Sequence, residues 1–271
     1  MYHDGTAPRL VSRQPWEGQS VVVATAEVVV TASATPHTMG AWTEVHASTS
    51  GVADLLRVVV QSIGVSASAR AALVDVGVGA VGAEVVVAAG VAVGSAATGP
   101  PWLWFDLPIQ VPAGTRIAAR LQGQQASQTA TVRVTAMCSP WPSLAPTSLD
   151  VLGTSPATSL GTSVSSAGTW VQVVASSARA YRALQVLPSL ATNAATAAFA
   201  TLDVGVGAVG AEVVAGTNRV YRHAGELCYR DYLGLGLPSC GAVHVPAGSR
   251  IAVRDSLGGS GAGACVIGVP L

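Results

Sequence analysis

One twelve-residue phrase occurs twice in this chain, and that repeat constrains the fold more than any other feature. Asp75-Val-Gly-Val-Gly-Ala-Val-Gly-Ala-Glu-Val-Val86 returns unchanged as Asp203 to Val214, an offset of 203 − 75 = 128. A second phrase follows each copy: Val111-Pro-Ala-Gly-Thr-Arg-Ile-Ala-Ala-Arg120, then Val245-Pro-Ala-Gly-Ser-Arg-Ile-Ala-Val-Arg254, offset by 245 − 111 = 134. The second phrases differ only at Thr115/Ser249 and Ala119/Val253, and a tryptophan precedes each set, Trp42 and Trp170. Solenoid units repeat at roughly 20–50 residues. A period of 128 is therefore a duplicated domain.

The duplication divides the 271 residues into an extended N-terminal arm (1–19), a first repeat (20–138), a linker (139–148) and a second repeat (149–271). Three prolines in Pro140-Trp-Pro-Ser-Leu-Ala-Pro146 stiffen the linker. The arm has no periodicity, and we expect a neighbouring subunit to pin it. Only 10% of residues are charged, against roughly 25% in ordinary globular chains. Solubility then rests on Ser, Thr and Gln, and we expect part of the surface to be covered by other copies. The net charge of zero gives no pull toward nucleic acid or an anionic membrane. The start has no basic region leading into an apolar core, so no signal peptide is expected. The longest charge-free apolar run, Val85 to Phe105, is broken by Gly90, Gly94, Gly99, Pro100 and Pro101, so it does not read as a membrane span.

The pattern is β throughout. Val21–Thr31, Trp42–Ser48, Leu55–Ile63, Ala71–Val78, Glu84–Val87, Trp102–Phe105, Arg116–Leu121 and Thr131–Ala136 are short runs rich in β-branched residues, separated by Gly, Pro and Ser. Such spacing predicts an all-β chain of two tandem, internally duplicated antiparallel sandwiches, jelly-roll-like in type. Pro188 stands where the first repeat has Val60, which predicts an edge strand there in the second repeat. The C-terminal Cys265-Val-Ile-Gly-Val-Pro-Leu271 matches Thr131-Val-Arg-Val-Thr-Ala-Met137, so the last strand ends the chain.

Motifs with the form of chemical sites have plainer readings. Gly77, Gly79 and Gly82 fit the dinucleotide fingerprint formally, but that motif needs a helix after its third glycine. Here the following residues are β-rich, so a glycine turn is the better reading. Asp75 and Glu84 flank this turn, as Asp203 and Glu212 flank the other. They either hold a cation or, more simply, cap turn amides and pair with Arg116 and Arg250. Arg116/Arg120 and Arg250/Arg254 lie four apart and share a strand face. They serve either local acids or inter-subunit salt bridges. The five histidines recur at no matching position, and no HExxH, GxSxG or P-loop spacing appears. We expect no enzyme, no cofactor and no metal. The cysteines lack CxxC spacing and read as free thiols, with a Cys228–Cys240 bridge kept as the exception.

The offset grows from 128 to 134, so the second repeat carries six extra residues between Val214 and Val245. That region, Thr217 to Tyr232, concentrates Tyr221, Arg222, Tyr229 and Tyr232, residue types enriched at binding hot spots. Trp102 and Trp104 stand in the matching place of the first repeat. These aromatics either roof the ends of the sandwiches or form a loop that contacts a partner or stacks on a host-surface glycan.

The phrases at Leu73 to Glu84 and Val111 to Arg120, with Ala41-Trp-Thr-Glu44 before them, resemble uncharacterised structural proteins of tailed bacteriophages. The likeness covers both repeats and leaves out the arm and linker. It implies a non-enzymatic virion protein, assembled in the host cytoplasm, whose partners are its own copies and other capsid or tail proteins. A capsid decoration or cement protein is the expectation. A tail, baseplate or fibre-attachment protein is the rival in the same class.

Overall fold

The computed structural model describes residues 20–24, 26–64, 71–94, 103–138, 147–154, 162–164, 166–190, 198–223, 226–228, 239–240, 244–256 and 262–271. The arm and linker residues 139–146 lie outside them. Among the described residues there is no helix, and all paired strands of the sheets are antiparallel. The fold is all-β and sandwich-like.

The first repeat supplies β1 (Ser20–Ala24), β2 (Val28–Thr31), β3 (Thr43–His46), β4 (Leu55–Gly64), β5 (Ala71–Val78), β6 (Val85–Gly94), β7 (Leu103–Leu107), β8 (Ile117–Gly123) and β9 (Thr129–Cys138). They form two sheets, one ordered β1-β9-β4-β7 with β2 also on β9, the other β3-β8-β5-β6. The second repeat supplies β10 (Asp150–Leu152), β11 (Thr162–Val164), β12 (Val171–Val174), β13 (Tyr181–Leu190), β14 (Ala198–Val206), β15 (Val213–His223), β16 (Glu226–Cys228), β17 (Ser239–Cys240), β18 (Ile251–Asp255) and β19 (Ala262–Pro270). Here β19 carries β10, β11 and β13, while the other sheet runs β12-β18-β14-β15-β16 with β17 also on β15.

Alternation along the strands builds the cores. On β9, Ala130, Val132, Val134 and Ala136 are fully buried while Thr131, Arg133 and Thr135 face away from that core. The matching β19 has no polar face. Ala264 and Val266 pack inward on Leu184, Val186 and Val253, whereas Cys265, Ile267 and Val269 belong to the first repeat's core. The outer face of β10, β13 and β19 therefore lies against β6, joined by the Leu149 amide donating to the Val87 carbonyl at 2.8 Å. The seam continues one hydrophobic core across both repeats.

Two strands differ from the sequence reading. β6 does not end near Val87: it runs to Gly94, with a bulge centred on Gly90, whose φ of 69° is one that glycine adopts without strain. Residues 217–223 and 226–228 are not loop. They continue β15 and turn back as β16.

The fate of the strand after β6 differs between the repeats. In the first, β7 pairs with β4. In the second, Pro188 on β13 has no N–H to give, and among the described strands β13 pairs only with β19. Edge placement of that strand is what Pro188 predicts. The Val186 carbonyl on this edge accepts from the Asn218 side chain at 3.0 Å instead. β16 and β17 lie along β15, with Cys240 opposite Gly216 and Cys228 opposite Tyr221. That edge position corresponds to the one Leu149 closes on β6.

Candidate functional site

The two repeated phrases meet on adjacent strands, and each repeat builds the same constellation from them. β5 and β8 pair with Asp75 opposite Arg120, and β14 and β18 with Asp203 opposite Arg254. Arg120 reaches Asp75 at 2.7 Å and Arg254 reaches Asp203 at 2.8 Å. Each guanidinium also lies over an indole ring, Arg120 on Trp42 and Arg254 on Trp170, both 4.5 Å from the ring centroid. The far edge of each ring rests on a glycine of β5 or β14. A Cβ at Gly77 would sit 2.8 Å from Trp42 Cη2, and one at Gly205 would sit 2.6 Å from Trp170 Cη2. Close approach, rather than a positive φ, is what these two glycines provide.

Four residues back along the same pair of strands, Arg116 bonds Glu84 at 2.8 Å and Glu44 at 2.9 Å. Arg250 bonds Glu212 at 2.6 Å and, where Glu44 is replaced, Gln172 at 3.2 Å. Glu84 also accepts from the Gly82 amide at 3.0 Å across the turn. Burial works to raise the Glu84 and Glu212 carboxyls. Hydrogen bonds from their own amides, from Arg116 or Arg250 and from the Gly82 or Gly210 amide outweigh it and hold both below the usual carboxylate range.

The second phrase is clamped from the segment before β4 in the first repeat and from the turn before β13 and its first residue in the second. Val111 and Ala53 exchange backbone bonds of 2.7 and 2.9 Å, and Val245 and Tyr181 exchange bonds of 2.8 and 2.9 Å. Thr49 and Ser177 each hold the Pro-Ala-Gly turn by donating the hydroxyl to a proline carbonyl, Pro112 at 2.7 Å and Pro246 at 3.2 Å. The duplicated polar residues thus fix strands and turns to one another.

All four arginines proposed from the sequence, Arg116, Arg120, Arg250 and Arg254, have partners within their own repeat. Asp75 pairs with Arg120 and Glu84 with Arg116, so the two acids serve two different arginines. Among the described residues no cluster of three or more His, Cys, Asp or Glu side chains is placed to hold a metal ion. Gly77, Gly79 and Gly82 form the end of β5 and a hairpin turn leading into β6, not a strand-to-helix loop.

Of the aromatic candidates, Trp102, Tyr229 and Tyr232 lie outside the described residues. Trp104 is a β7 position opposite Val59, and Tyr221 and Arg222 are β15 positions opposite Phe199 and Ala198 on β14. The structure does not gather these positions into one site. A Cys228–Cys240 bridge is excluded by register. Their partners on β15, Tyr221 and Gly216, are five residues apart. At about 3.4 Å per residue that is about 17 Å, well beyond the roughly 7 Å limit between bridged Cα atoms.

Sequence reasoning missed the tryptophan–arginine stacks. The signal was present, since Trp42 and Trp170 keep the offset of 128. It also missed that the turn presents apolar side chains outward: Val81 is 77% exposed and Val209 is 80% exposed. No protein-family model matches the chain, and no curated protein matches it either.

Proposed function

We propose that this chain is a non-enzymatic structural protein that works in several copies, a capsid decoration or cement protein of a tailed-phage virion. In this reading the four sheets are two tandem sandwiches of jelly-roll type, duplicated from one ancestor. One observation carries the proposal. The charged residues common to both repeats are committed to internal ion pairs, and what the shared phrases turn outward is uncharged and apolar. A duplicated site for a polar substrate would turn its charges outward. A contact surface between subunits would turn them in, as here.

The test is the mass of the full chain in solution by light scattering, compared with a version lacking residues 1–19. A trimer or larger assembly that weakens on truncation supports a multi-copy role with the arm as a latch. A monodisperse monomer in both refutes it. Specific binding on a glycan array by a monomeric chain would replace it with a receptor-binding role.

A further inference from the structure

The repeated turn has more identity than its fold needs. Asp75, Gly77, Glu84 and the two positive-φ glycines, Gly79 and Gly82, have structural duties in both copies. Ala80, Val81, Ala83 and Val85 stand exposed and contribute to neither core, yet they too are unchanged at Ala208, Val209, Ala211 and Val213. The identity then stops. The next eight residues, 87–94 against 215–222, share none. Of the eight large hydrophobic side chains exposed among the described residues, five are in these phrases: Val81, Val85, Val209, Val213 and Val214. That is concentration, not scatter.

The tip is also rigid and neutral. The Ala83 amide closes on the Ala80 carbonyl at 3.0 Å, Gly79 bonds the Arg116 carbonyl at 3.1 Å, and Glu84 ties Gly82 to Arg116. Glu84 and Glu212, the tips' acids, have side chains only 3% and 2% exposed, held inward by arginine. A preordered surface loses little freedom on binding. A surface with no outward charge meets its own copy without repulsion, as an isologous two-fold contact requires.

We infer that the Gly-Ala-Val-Gly-Ala tips are self-association surfaces, each docking on the same tip of a second copy of this chain. The inference rests on the multi-copy reading above and names the surface it uses. Each chain has two equivalent tips, so tip-to-tip contact links every copy to two others, giving rings or open chains. The two tips engage different copies, so each tip-to-tip contact holds on its own, and a chain with one working tip still pairs.

The geometry makes a stepwise prediction for light scattering across a concentration series. The wild-type chain forms species larger than a dimer. Val81→Asp and Val209→Asp, each leaving one tip intact, stop at dimer. The double variant is a monomer, and Val52→Asp, an exposed valine outside the phrases, behaves as wild type. Unchanged circular dichroism shows that the variants fold. Val81→Ser and Val209→Ser, which add no charge, give the same order with smaller loss of mass if an aspartate disrupts a turn. A wild-type assembly left intact by the double variant overturns the tip surface while the multi-copy reading stands. A wild-type monomer overturns both.

Discussion

Placing a methyl group at Gly205 tests whether the tryptophan shelf holds the repeated strands together. Its Cβ would lie 2.6 Å from Trp170 Cη2, 2.8 Å from Cζ3 and 3.1 Å from Cζ2, so the indole has to move. Overpacking of this kind costs roughly 1–3 kcal/mol. Displacing the ring from Arg254 removes a cation–π contact worth about 0.5–1 kcal/mol at a partly exposed site. Against these, alanine restricts the unfolded chain and returns about 0.4–1 kcal/mol. The net expectation for Gly205→Ala is a loss of about 1–3 kcal/mol in urea unfolding, with a shift in tryptophan emission. Gly77→Ala, at 2.8 Å from Trp42, should behave the same way. Trp170→Phe removes the clashing ring atoms and should recover most of the loss in the Gly205→Ala background. Gly210→Ala supplies the contrast. It has nothing within 4 Å and a φ of 78°, so its cost of about 1–2 kcal/mol is backbone strain that no tryptophan change relieves. Equal behaviour of the two glycine variants toward Trp170→Phe would refute the reasoning.

Acid should weaken the fold through Glu84 and Glu212. Their folded pKa values are lowered, so the stability they contribute is complete above the unfolded carboxylate value of about 4.3 and is lost as pH falls through the folded values. Glu84→Gln with Glu212→Gln should flatten that part of a stability–pH curve, and an unchanged slope would count against the pairing. Burial pushes the Cys265 thiol up to about 12. Its peptide should therefore stay unlabelled by iodoacetamide at pH 8 in native protein and become labelled in urea. At the seam, Ile267→Ala should cost about 2–5 kcal/mol, because Ile267 is fully buried in a core shared by both repeats. Arg133→Ile, the reciprocal change on exposed β9, should stay within about 0.5 kcal/mol, and equal effects would deny the seam.

Period-two alternation made the strands readable wherever one face is wet. Thr131, Arg133 and Thr135 announce the outer face of β9, and Ala71–Val78 has the predicted bounds of β5. Pro188 announced an edge because a missing N–H acts locally. Gly90 misled, since a glycine that ends a strand and one that bulges it look alike in sequence; the bulge shows only once Asp75 is seen accepting from the Gly90 amide at 2.6 Å. The switch of β16 and β17 to β15 was hidden for a different reason. Six extra residues announce an insertion, but which edge it joins depends on what β13 can donate and on what Asn218 reaches. The exposed valines of the tips were in plain view, yet β-branched residues beside a glycine turn read as strand whether they face in or out.

The differences between the repeats have a single physical logic. Where the first repeat turns Thr131, Arg133 and Thr135 outward, the second has Cys265, Ile267 and Val269, because that face is covered by β6. Where the first leaves the edge of β6 for Leu149 to bond, the second fills the edge of β15 with β16 and β17. A stack of two such units has one polar end and one end whose strand edge pairs within its own repeat, so the contact that joins the repeats has no free counterpart at either end. Growth between copies through that contact would bury Arg133 against a β15 edge already in use. Any assembly of this chain therefore depends on surfaces the seam leaves open, and among the outward residues that the duplication left identical, the large apolar ones are the valines of the two tips.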